Sequence, residues 1–265
     1  MDVVDLRDFY AHPLGTVARR FISRGVRRLW TQAAGMRVLG VGYATPYLGL
    51  FREDAERCLA FMPAVQGVVK WPSEKPTLVA LVDDCDLPLA DAAIDRVLLV
   101  HALELSHDVT ALLREVWRVL APGGRILIVV PNRRGLWARV DTTPFGQGRP
   151  YSRSQLTYIL REAWFTPTAW GEALYVPPIE RRWLVGAAAA LERSGAAVSA
   201  PFAGVHLVEA TKQVYRVIPA RRKKLVPNLK PVLGRPVLAP SPGGARCRSR
   251  TLITGASSGD TPLFG

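Results

Sequence analysis

The sequence predicts a doubly wound α/β domain, and two stretches of the chain support this prediction. In the first, an apolar run from Val38 to Gly42 contains two glycines and is followed by a break at Pro46. A short strand, a glycine turn and the start of a helix form the corner of such a domain that faces a phosphate or a nucleotide. In the second, residues 94–130 read as a buried strand, a helix and another buried strand joined by short turns, the pattern of a right-handed crossover between parallel strands.

Composition agrees with a single folded domain. The chain has 265 residues, of which 49% are apolar, and this is enough to bury a core of ordinary size. The three cysteines, Cys58, Cys85 and Cys247, follow neither a metal-ligand nor a disulfide spacing, so we expect no metal and a reducing, cytoplasmic location. Residues 1–10 lack the apolar core of a secretory signal. No uncharged apolar run of about 18 residues occurs, so no membrane-spanning helix is expected.

The net charge of +13 is distributed unevenly along the chain. After Val217 nine Lys and Arg residues stand against Asp260 alone, so this segment carries +8 and the rest of the chain +5. Because the body is only mildly basic, nucleic acid is not the expected substrate, although binding of nucleic acid through the tail stays open. Three segments are predicted: a helical one at residues 1–35, an α/β domain at 36–218 and a basic, disordered tail at 219–265.

The remaining elements are predicted in chain order. Residues 5–30 carry a loose apolar stripe between arginines, which indicates one or two helices, interrupted at Pro13, that cover the sheet edge or act as a lid. Residues 131–150 form a long polar loop with glycines, a type of segment that often carries function. The predicted strands span residues 37–41, 57–62, 77–82, 94–100, 125–130, 168–176 and 205–217. The other predicted helices span residues 46–57, 108–120, 152–163 and 181–193.

The most specific motif lies in the middle of the chain. It comprises Asp83-Asp84-Cys85-Asp86-Leu87-Pro88-Leu89, Ile94-Asp95-Arg96-Val97, His101-Ala102-Leu103-Glu104 and Arg118-Val119-Leu120-Ala121-Pro122-Gly123-Gly124. This pattern resembles the central half of class I S-adenosylmethionine-dependent methyltransferases of the small-molecule type. The resemblance covers residues 37–131, and beyond them only the order of elements agrees. It implies a Rossmann-like, seven-stranded, mostly parallel sheet with an antiparallel edge strand, S-adenosylmethionine as the cofactor and a small molecule as the substrate.

The resemblance also implies which residues contact the cofactor. In the family, a glycine turn after the first strand approaches the methionine part, an acid late in the second strand takes the ribose hydroxyls, and an Asp after the third strand contacts adenine. The matching positions here are Gly40, Gly42, Tyr43 and Ala44 at the turn, Met62 at the second strand, and Asp83, Asp84 and Cys85 after the third.

This sequence departs from the family pattern at the turn and at the second strand. Gly40 stands where an Asp is usual, Ala44 and Pro46 replace glycines, and residues 58–63 offer no carboxylate for the ribose. A buried polar group left without its partner costs about 1–3 kcal/mol. A second hypothesis therefore stays open, a methyltransferase-like protein without catalysis that serves as a binding or regulatory module. A nicotinamide enzyme is disfavoured, because the acid that follows the dinucleotide glycines is also missing.

Candidate catalytic and substrate-binding residues follow the fourth and fifth strands. His101 matches the residue after strand four and is the candidate general base, although methyl transfer depends mostly on alignment of the nucleophile. Glu104 is expected at the start of a solvated helix. The loop after strand five is expected to bind the substrate. Its arginines would hold an anionic group and its aromatic residues would form the walls, namely Arg133, Arg134 and Arg149, and Trp137, Phe145 and Tyr151. The sequence does not predict the acceptor atom or the oligomeric state.

Overall fold

The computed structural model describes residues 1–74, 76–179, 192 and 202–214. The chain divides into two compact units, residues 1–217 and 218–265, and all described residues belong to the first. The predicted helix at residues 181–193 and the predicted tail lie outside the described residues, apart from Glu192. No helix among the described residues is both long enough and apolar enough to cross a membrane.

The first unit is built on one seven-stranded sheet with the order β3-β2-β1-β4-β5-β7-β6. The strands are Arg37–Gly42 (β1), Arg57–Pro63 (β2), Val79–Val82 (β3), Ile94–Val100 (β4), Leu120–Pro131 (β5), Phe165–Ala173 (β6) and Val205–Lys212 (β7). Strands β1 to β5 pair in parallel, and β7 pairs antiparallel with both β5 and β6. The predicted mostly parallel, doubly wound sheet is therefore confirmed, and its antiparallel strand lies next to the edge strand β6.

Five α-helices with defined bounds accompany the sheet within the described residues. They are Val3–Ala11 (α1), Pro13–Leu29 (α2), Thr45–Leu48 (α3), Val109–Val119 (α4) and Arg153–Glu162 (α5). The side chains of Asp2, Asp108 and Ser152 cap α1, α4 and α5 by accepting hydrogen bonds from free backbone N–H groups of the first turn. Pro13 separates α1 from α2, as predicted, because a proline is tolerated in the first helical turn but not inside a helix.

The predicted helix at residues 46–57 is wrong, since helical structure ends at Leu48 after four residues. The backbone groups further along are used elsewhere. The Asp54 carbonyl accepts from the Gly35 N–H, and the Glu56 N–H donates to the Met36 carbonyl, so this segment joins the start of β1 instead of extending a helix. Gly49, a poor helix former, follows the last helical residue.

The sheet is buried on both faces, which explains the continuous apolar runs in its central strands. One face carries Leu98, Val100, Leu127 and Val129 and packs against α1, α2 and α3. The other carries Val97, Leu99, Ile126 and Ile128 and packs against α4 and α5. The carboxyl ends of β1 and β4 emerge beneath α1, and this is where the candidate site lies.

Candidate functional site

Strands β1 and β4 end side by side at the glycine turn. Gly42 pairs with Val100 and has a left-handed φ of +80°. A Cβ at this position would overlap the Val100 carbonyl oxygen and lie 2.8 Å from the Ala102 Cβ. The next residue, Tyr43, donates its backbone N–H to the same Val100 carbonyl at 2.8 Å. Only glycine therefore allows the turn after β1 to close onto the end of β4.

The unusual residues Gly40 and Ala44 pack against each other. A Cβ on Gly40 would lie 2.7 Å from the Ala44 Cβ and 2.7 Å from the Leu48 Cδ1. Ala44 and Leu48 are fully buried. The small side chains thus let α3 rest directly on β1, and a carboxylate in place of Gly40 has no room in this arrangement.

A chain of four hydrogen-bonded side chains lies beside the turn. The Tyr47 hydroxyl is 2.9 Å from the Tyr10 hydroxyl, which is 2.9 Å from Nε2 of His101. The Nδ1 atom of His101 is 3.1 Å from Oε1 of Glu104. All four residues are buried, with Tyr10 the most accessible at 8% exposed.

The direction of these hydrogen bonds follows from the chemistry of the groups. When Glu104 is ionised its carboxylate can only accept, and in that state Nδ1 of His101 donates its proton to Glu104. In the neutral imidazole this leaves the lone pair on Nε2, which accepts the hydroxyl proton of Tyr10. Burial, above all, raises the pKa of Tyr10 well above its ordinary value, so this hydroxyl remains protonated. The site therefore holds a histidine whose free nitrogen faces a hydroxyl oxygen.

Two features of these four hydrogen-bonded residues are unfavourable for folding. Oε2 of Glu104 is buried and has no hydrogen-bond partner within the described part of the chain, a situation that costs about 1–3 kcal/mol. His101 has a φ of +50°, a region that residues other than glycine seldom occupy. Backbone strain and unpaired buried polar atoms persist mainly at functional sites. The prediction that Glu104 begins a solvated helix is wrong, because this residue lies in a turn, contacts His101 and is 2% exposed.

Aromatic rings enclose the His101 side chain. The Tyr10 ring stacks on Tyr43 with centroids 5.7 Å apart and an angle of 22° between planes. The Phe145 ring lies 4.9 Å from the imidazole and belongs to a short 3-10 helix, Pro144–Gly146, in the predicted functional loop. Phe9 meets Phe145 edge-on at 6.1 Å. Helix α1 and the loop together close the space above the ends of β1 and β4.

An open cavity of about 270 Å³ borders the outer side of the glycine turn. Two arginines, Arg7 and Arg19, line it together with the hydroxyl-bearing Thr45 and the ring of Trp71. Guanidinium groups bind carboxylates and phosphates through paired hydrogen bonds. This cavity can therefore take an anionic group next to the turn.

The ends of β2 and β3 differ in their chemistry. Met62 at the end of β2 is buried, and its sulfur accepts the Val69 N–H at 3.5 Å, so no carboxylate faces the turn there. After β3, the Asp84 carboxylate accepts from the Ser106 hydroxyl at 2.9 Å, which links this acid to the loop after β4. Ligand-type atoms of Asp83, Asp84 and Cys85 lie within 4.8 Å of one another, but an exposed acidic cluster alone does not make a metal site.

The predicted substrate residues occupy different environments. Arg133 and Arg134 are exposed, and Arg134 lines a second cavity of about 300 Å³ together with Arg153. Trp137 is fully buried and donates its indole N–H to the Val176 carbonyl at 2.7 Å. Tyr151 is buried and donates its hydroxyl to the Leu103 carbonyl at 3.3 Å. The two aromatic side chains thus hold the loop against the body of the domain.

Several residues of the site were not expected from the sequence. They are Tyr10, Tyr47 and Gln66, whose side-chain amide donates to the His101 carbonyl. An apolar or aromatic residue at helical spacing predicts only burial, so no sequence signal pointed to the two tyrosines, whereas Phe145 was expected in the substrate loop. For Glu104, the spacing of three residues from His101 was the available signal, since both side chains fit on one turn.

The match to known proteins agrees with this geometry. Residues 25–128 match the family model described as a methyltransferase domain. This match covers less than half of the chain and agrees with the class I S-adenosylmethionine-dependent methyltransferase domain that the sequence predicts. The matched residues include the glycine turn, the acids after β3, and both His101 and Glu104, whereas Tyr10 and Phe145 lie outside them.

A curated relative is similar to part of the chain. Over 82 residues the chain is 37% identical to a probable S-adenosylmethionine-dependent methyltransferase of Mycolicibacterium smegmatis, covering 30% of this chain and 32% of that protein. The chain thus matches about a third of the length of this curated relative.

Two solved structures share the fold. One is an S-adenosylmethionine-dependent methyltransferase of Thermotoga maritima, a possible histamine N-methyltransferase, with a TM-score of 0.54 and 16% identity over 80% of this chain and 96% of that one. The other is described as a methyltransferase in complex with the Trm112 methyltransferase activator from Haloferax volcanii, with a TM-score of 0.59 and 17% identity over 80% and 98% of the two chains.

Proposed function

We propose that this protein is an S-adenosylmethionine-dependent methyltransferase acting on a small molecule held beneath the 131–152 loop. The observation that carries the proposal is the meeting of the Gly42 turn with His101 at the ends of adjacent strands, inside the matched methyltransferase domain. In open α/β sheets, ligands bind outside the carboxyl ends of the strands, at the point where the strand order reverses. Here that point lies between β1 and β4.

The residues at this point fit the cofactor in two of three places. The cavity beside the turn, with Arg7 and Arg19, suits the amino-acid carboxylate, and the open turn at Gly42 and Tyr43 supplies the backbone approach. Asp84, tied to the loop after β4, suits the adenine amino group. At the end of β2, Met62 offers the ribose an apolar contact in place of a carboxylate. The bound cofactor supplies an electrophilic methyl group.

The chain's own residues would position the acceptor and exclude water. Phe145 reaches His101 from the 131–152 loop, which places that loop over the same strand ends as the turn. The Nε2 atom of His101, which contacts the Tyr10 hydroxyl, lies there. Arg133 and Arg134 extend from the same loop towards solvent, where they can hold an anionic part of the substrate. The rings of Tyr43 and Phe145 keep the reacting centre apolar, which strengthens electrostatic interactions inside it.

Titration calorimetry with S-adenosylmethionine tests the proposal. We expect micromolar binding to the full chain and binding weakened about tenfold or more in Asp84→Asn, since a hydrogen bond to a charged group contributes about 1.5–3 kcal/mol. Asp86→Asn, two residues further on and exposed, is the matched control and should bind like the wild type. A folded protein that releases no heat up to millimolar cofactor would overturn the proposal.

A further inference from the structure

We propose that the acceptor of this site is an acidic hydroxyl compound, a phenol or an enol, and that the Tyr10 side chain occupies the acceptor's place in the closed protein. The inference rests on the proposed methyltransferase function and names the substrate class for the same site. Glu104 is then the positioning residue that orients His101. Three observations carry the inference: the contact of the Tyr10 hydroxyl with His101, the aromatic slot around it, and the His101–Glu104 pair.

The first observation is the position of the Tyr10 hydroxyl. Its oxygen lies 2.9 Å from Nε2 of His101, which is the distance at which a general base takes a proton from its substrate. Tyr10 comes from α1, 91 residues away in sequence and outside the matched methyltransferase residues. A phenol from another part of the chain thus stands where a substrate hydroxyl would be deprotonated.

The second observation is the shape of the surroundings. The Tyr10 ring lies parallel to Tyr43 at 5.7 Å between centroids, and Phe145 packs on the imidazole at 4.9 Å. Such walls suit a flat ring or a conjugated enol, because stacked π-systems attract each other and a saturated chain fills a slot poorly. A flat substrate that enters as Tyr10 leaves would keep the contact with Tyr43 and would lie beside the imidazole that Phe145 covers.

The third observation concerns the base. A neutral amine already has a free lone pair, whereas a hydroxyl oxygen becomes a good nucleophile only when it loses its proton. A buried imidazole backed by a carboxylate is therefore useful to a hydroxyl acceptor and of little use to an aromatic amine, which is already neutral. Glu104 holds Nδ1 at 3.1 Å, which selects the tautomer with a free Nε2.

The transfer step balances as follows. The acceptor's O–H proton moves to Nε2 of His101, and the resulting imidazolium is stabilised by the adjacent Glu104 carboxylate. The oxygen lone pair forms a bond to the methyl carbon while the carbon–sulfur bond breaks and its electron pair stays on sulfur. The products are the methyl ether, a neutral thioether and protonated His101, which returns its proton to solvent when the site opens.

The arrangement also requires Tyr10 to leave before the acceptor can bind. Helix α1 has nine residues, and the Val3 N–H donates a backbone hydrogen bond to the Gln66 carbonyl, in the turn after β2, at 2.7 Å. Tyr10 therefore acts as an internal competitor, and removing its ring should strengthen binding of a phenol.

The test uses 4-nitrophenol, whose absorption spectrum distinguishes the neutral form from the phenolate, without cofactor. Four full-length proteins are compared: wild type, Tyr10→Ala, Tyr10→Ala with Glu104→Gln, and Tyr10→Ala with Glu104→Asp. We expect Tyr10→Ala to bind 4-nitrophenol about tenfold more tightly than the wild type does, and about tenfold more tightly than it binds 4-nitroanisole, which has no proton to give. The bound probe should be more ionised than the free probe at the same pH.

Glu104→Gln should return the bound probe to the spectrum of the neutral phenol, and Glu104→Asp should restore most of the ionisation. Equal affinity of folded Tyr10→Ala for 4-nitrophenol, 4-nitroanisole and 4-nitroaniline would overturn the inference, as would absence of binding. Because no cofactor is present, this result is independent of the calorimetry. The two proposals can therefore fail separately. If 4-nitrophenol binds and ionises as expected but S-adenosylmethionine does not bind, the hydroxyl-binding site is supported and the methyltransferase function is rejected.

Discussion

Gly40 and Ala44 explain why the first turn of this domain departs from the pattern of its family. Gly40 lies in β1 and Ala44 lies at the start of α3. Because Gly40 has no side chain, the side chains of Ala44 and Leu48 can pack directly against its Cα. An Asp at residue 40 would therefore require α3 to move away from β1. Gly40 and Ala44 therefore fit each other. This packing explains why both differ from the usual Asp and Gly, a difference that from the sequence alone resembles a loss of the cofactor site.

Gly40→Ala tests this packing. The added Cβ would lie 2.7 Å from two buried atoms, and overpacking of a core typically costs about 1–3 kcal/mol. Gly49→Ala is the matched control, because a Cβ there meets nothing within 4 Å and its φ of −56° suits any residue. Urea denaturation should show a lower free energy of unfolding for Gly40→Ala and an unchanged or slightly higher one for Gly49→Ala. Equal stability of both variants would show that α3 adjusts freely.

At the scale of the elements, β1 and β4 are joined at both ends. The glycine turn closes on Val100 at the carboxyl end, and at the amino end Asp95 accepts hydrogen bonds from the backbone and the guanidinium of Arg37 at 2.8–2.9 Å. These contacts fix the relative register of the two strands that carry Gly42 and His101. The alignment of the site therefore depends on an ion pair at the opposite edge of the sheet.

The contribution of this pair should depend on pH. Hydrogen bonds from Arg37 hold the pKa of the Asp95 carboxyl below its ordinary value of 3.8, so the folded protein binds this proton less readily than the unfolded chain does. The pair therefore stabilises the fold at pH above about 4 and loses its effect as the pH falls through the lowered pKa.

A double-mutant cycle with Arg37→Met and Asp95→Asn measures this dependence. The coupling between the two residues, taken from urea denaturation, should be present near neutral pH and vanish at the acidic end. A coupling that does not change with pH would show that ionisation of Asp95 is not what gives the pair its stabilising effect.

For the whole molecule, the site is closed by an element that is not part of the sheet. Helix α1 places Tyr10 over the ends of β1 and β4, while β4 lies in the middle of the sheet with both faces covered. Short helices at the periphery open at low free energy, whereas central strands exchange their amide protons only when the domain unfolds. Opening of α1 is therefore compatible with an intact core.

Hydrogen exchange followed by mass spectrometry checks this difference in stability. We expect peptides from residues 1–11 to take up deuterium much faster than peptides from residues 94–100 or from helix α4. Tyr10→Phe, which loses both hydroxyl bonds but keeps the ring, should exchange faster still over residues 1–11 and unchanged over α4. Equal protection of α1 and β4 in the wild type would mean that the site does not open without global unfolding.

Local patterns in the sequence were sufficient for the strands, the glycine turn and the position of His101. Ile94–Val100 is the predicted strand without change, because a continuous apolar run between turns has few alternatives in an α/β domain. The helix at residues 46–57 could not be predicted correctly, since its backbone groups bond to residues 35 and 36, which come before β1. The periodicity of apolar residues depends only on residues close in the sequence, so it cannot predict hydrogen bonds to more distant partners.

The sequence by itself determined the methyltransferase type of sheet, and it predicts ligand binding at the carboxyl ends of the first strands. Only the tertiary structure decided what His101 faces, because Tyr10 and Phe145 reach it from distant segments, and their approach depends on how α1 and the 131–152 loop pack. It also decided that Glu104 is buried against His101. A side chain's protonation and reactivity depend on its contacts in space, and contacts between distant segments exist only once the chain has folded.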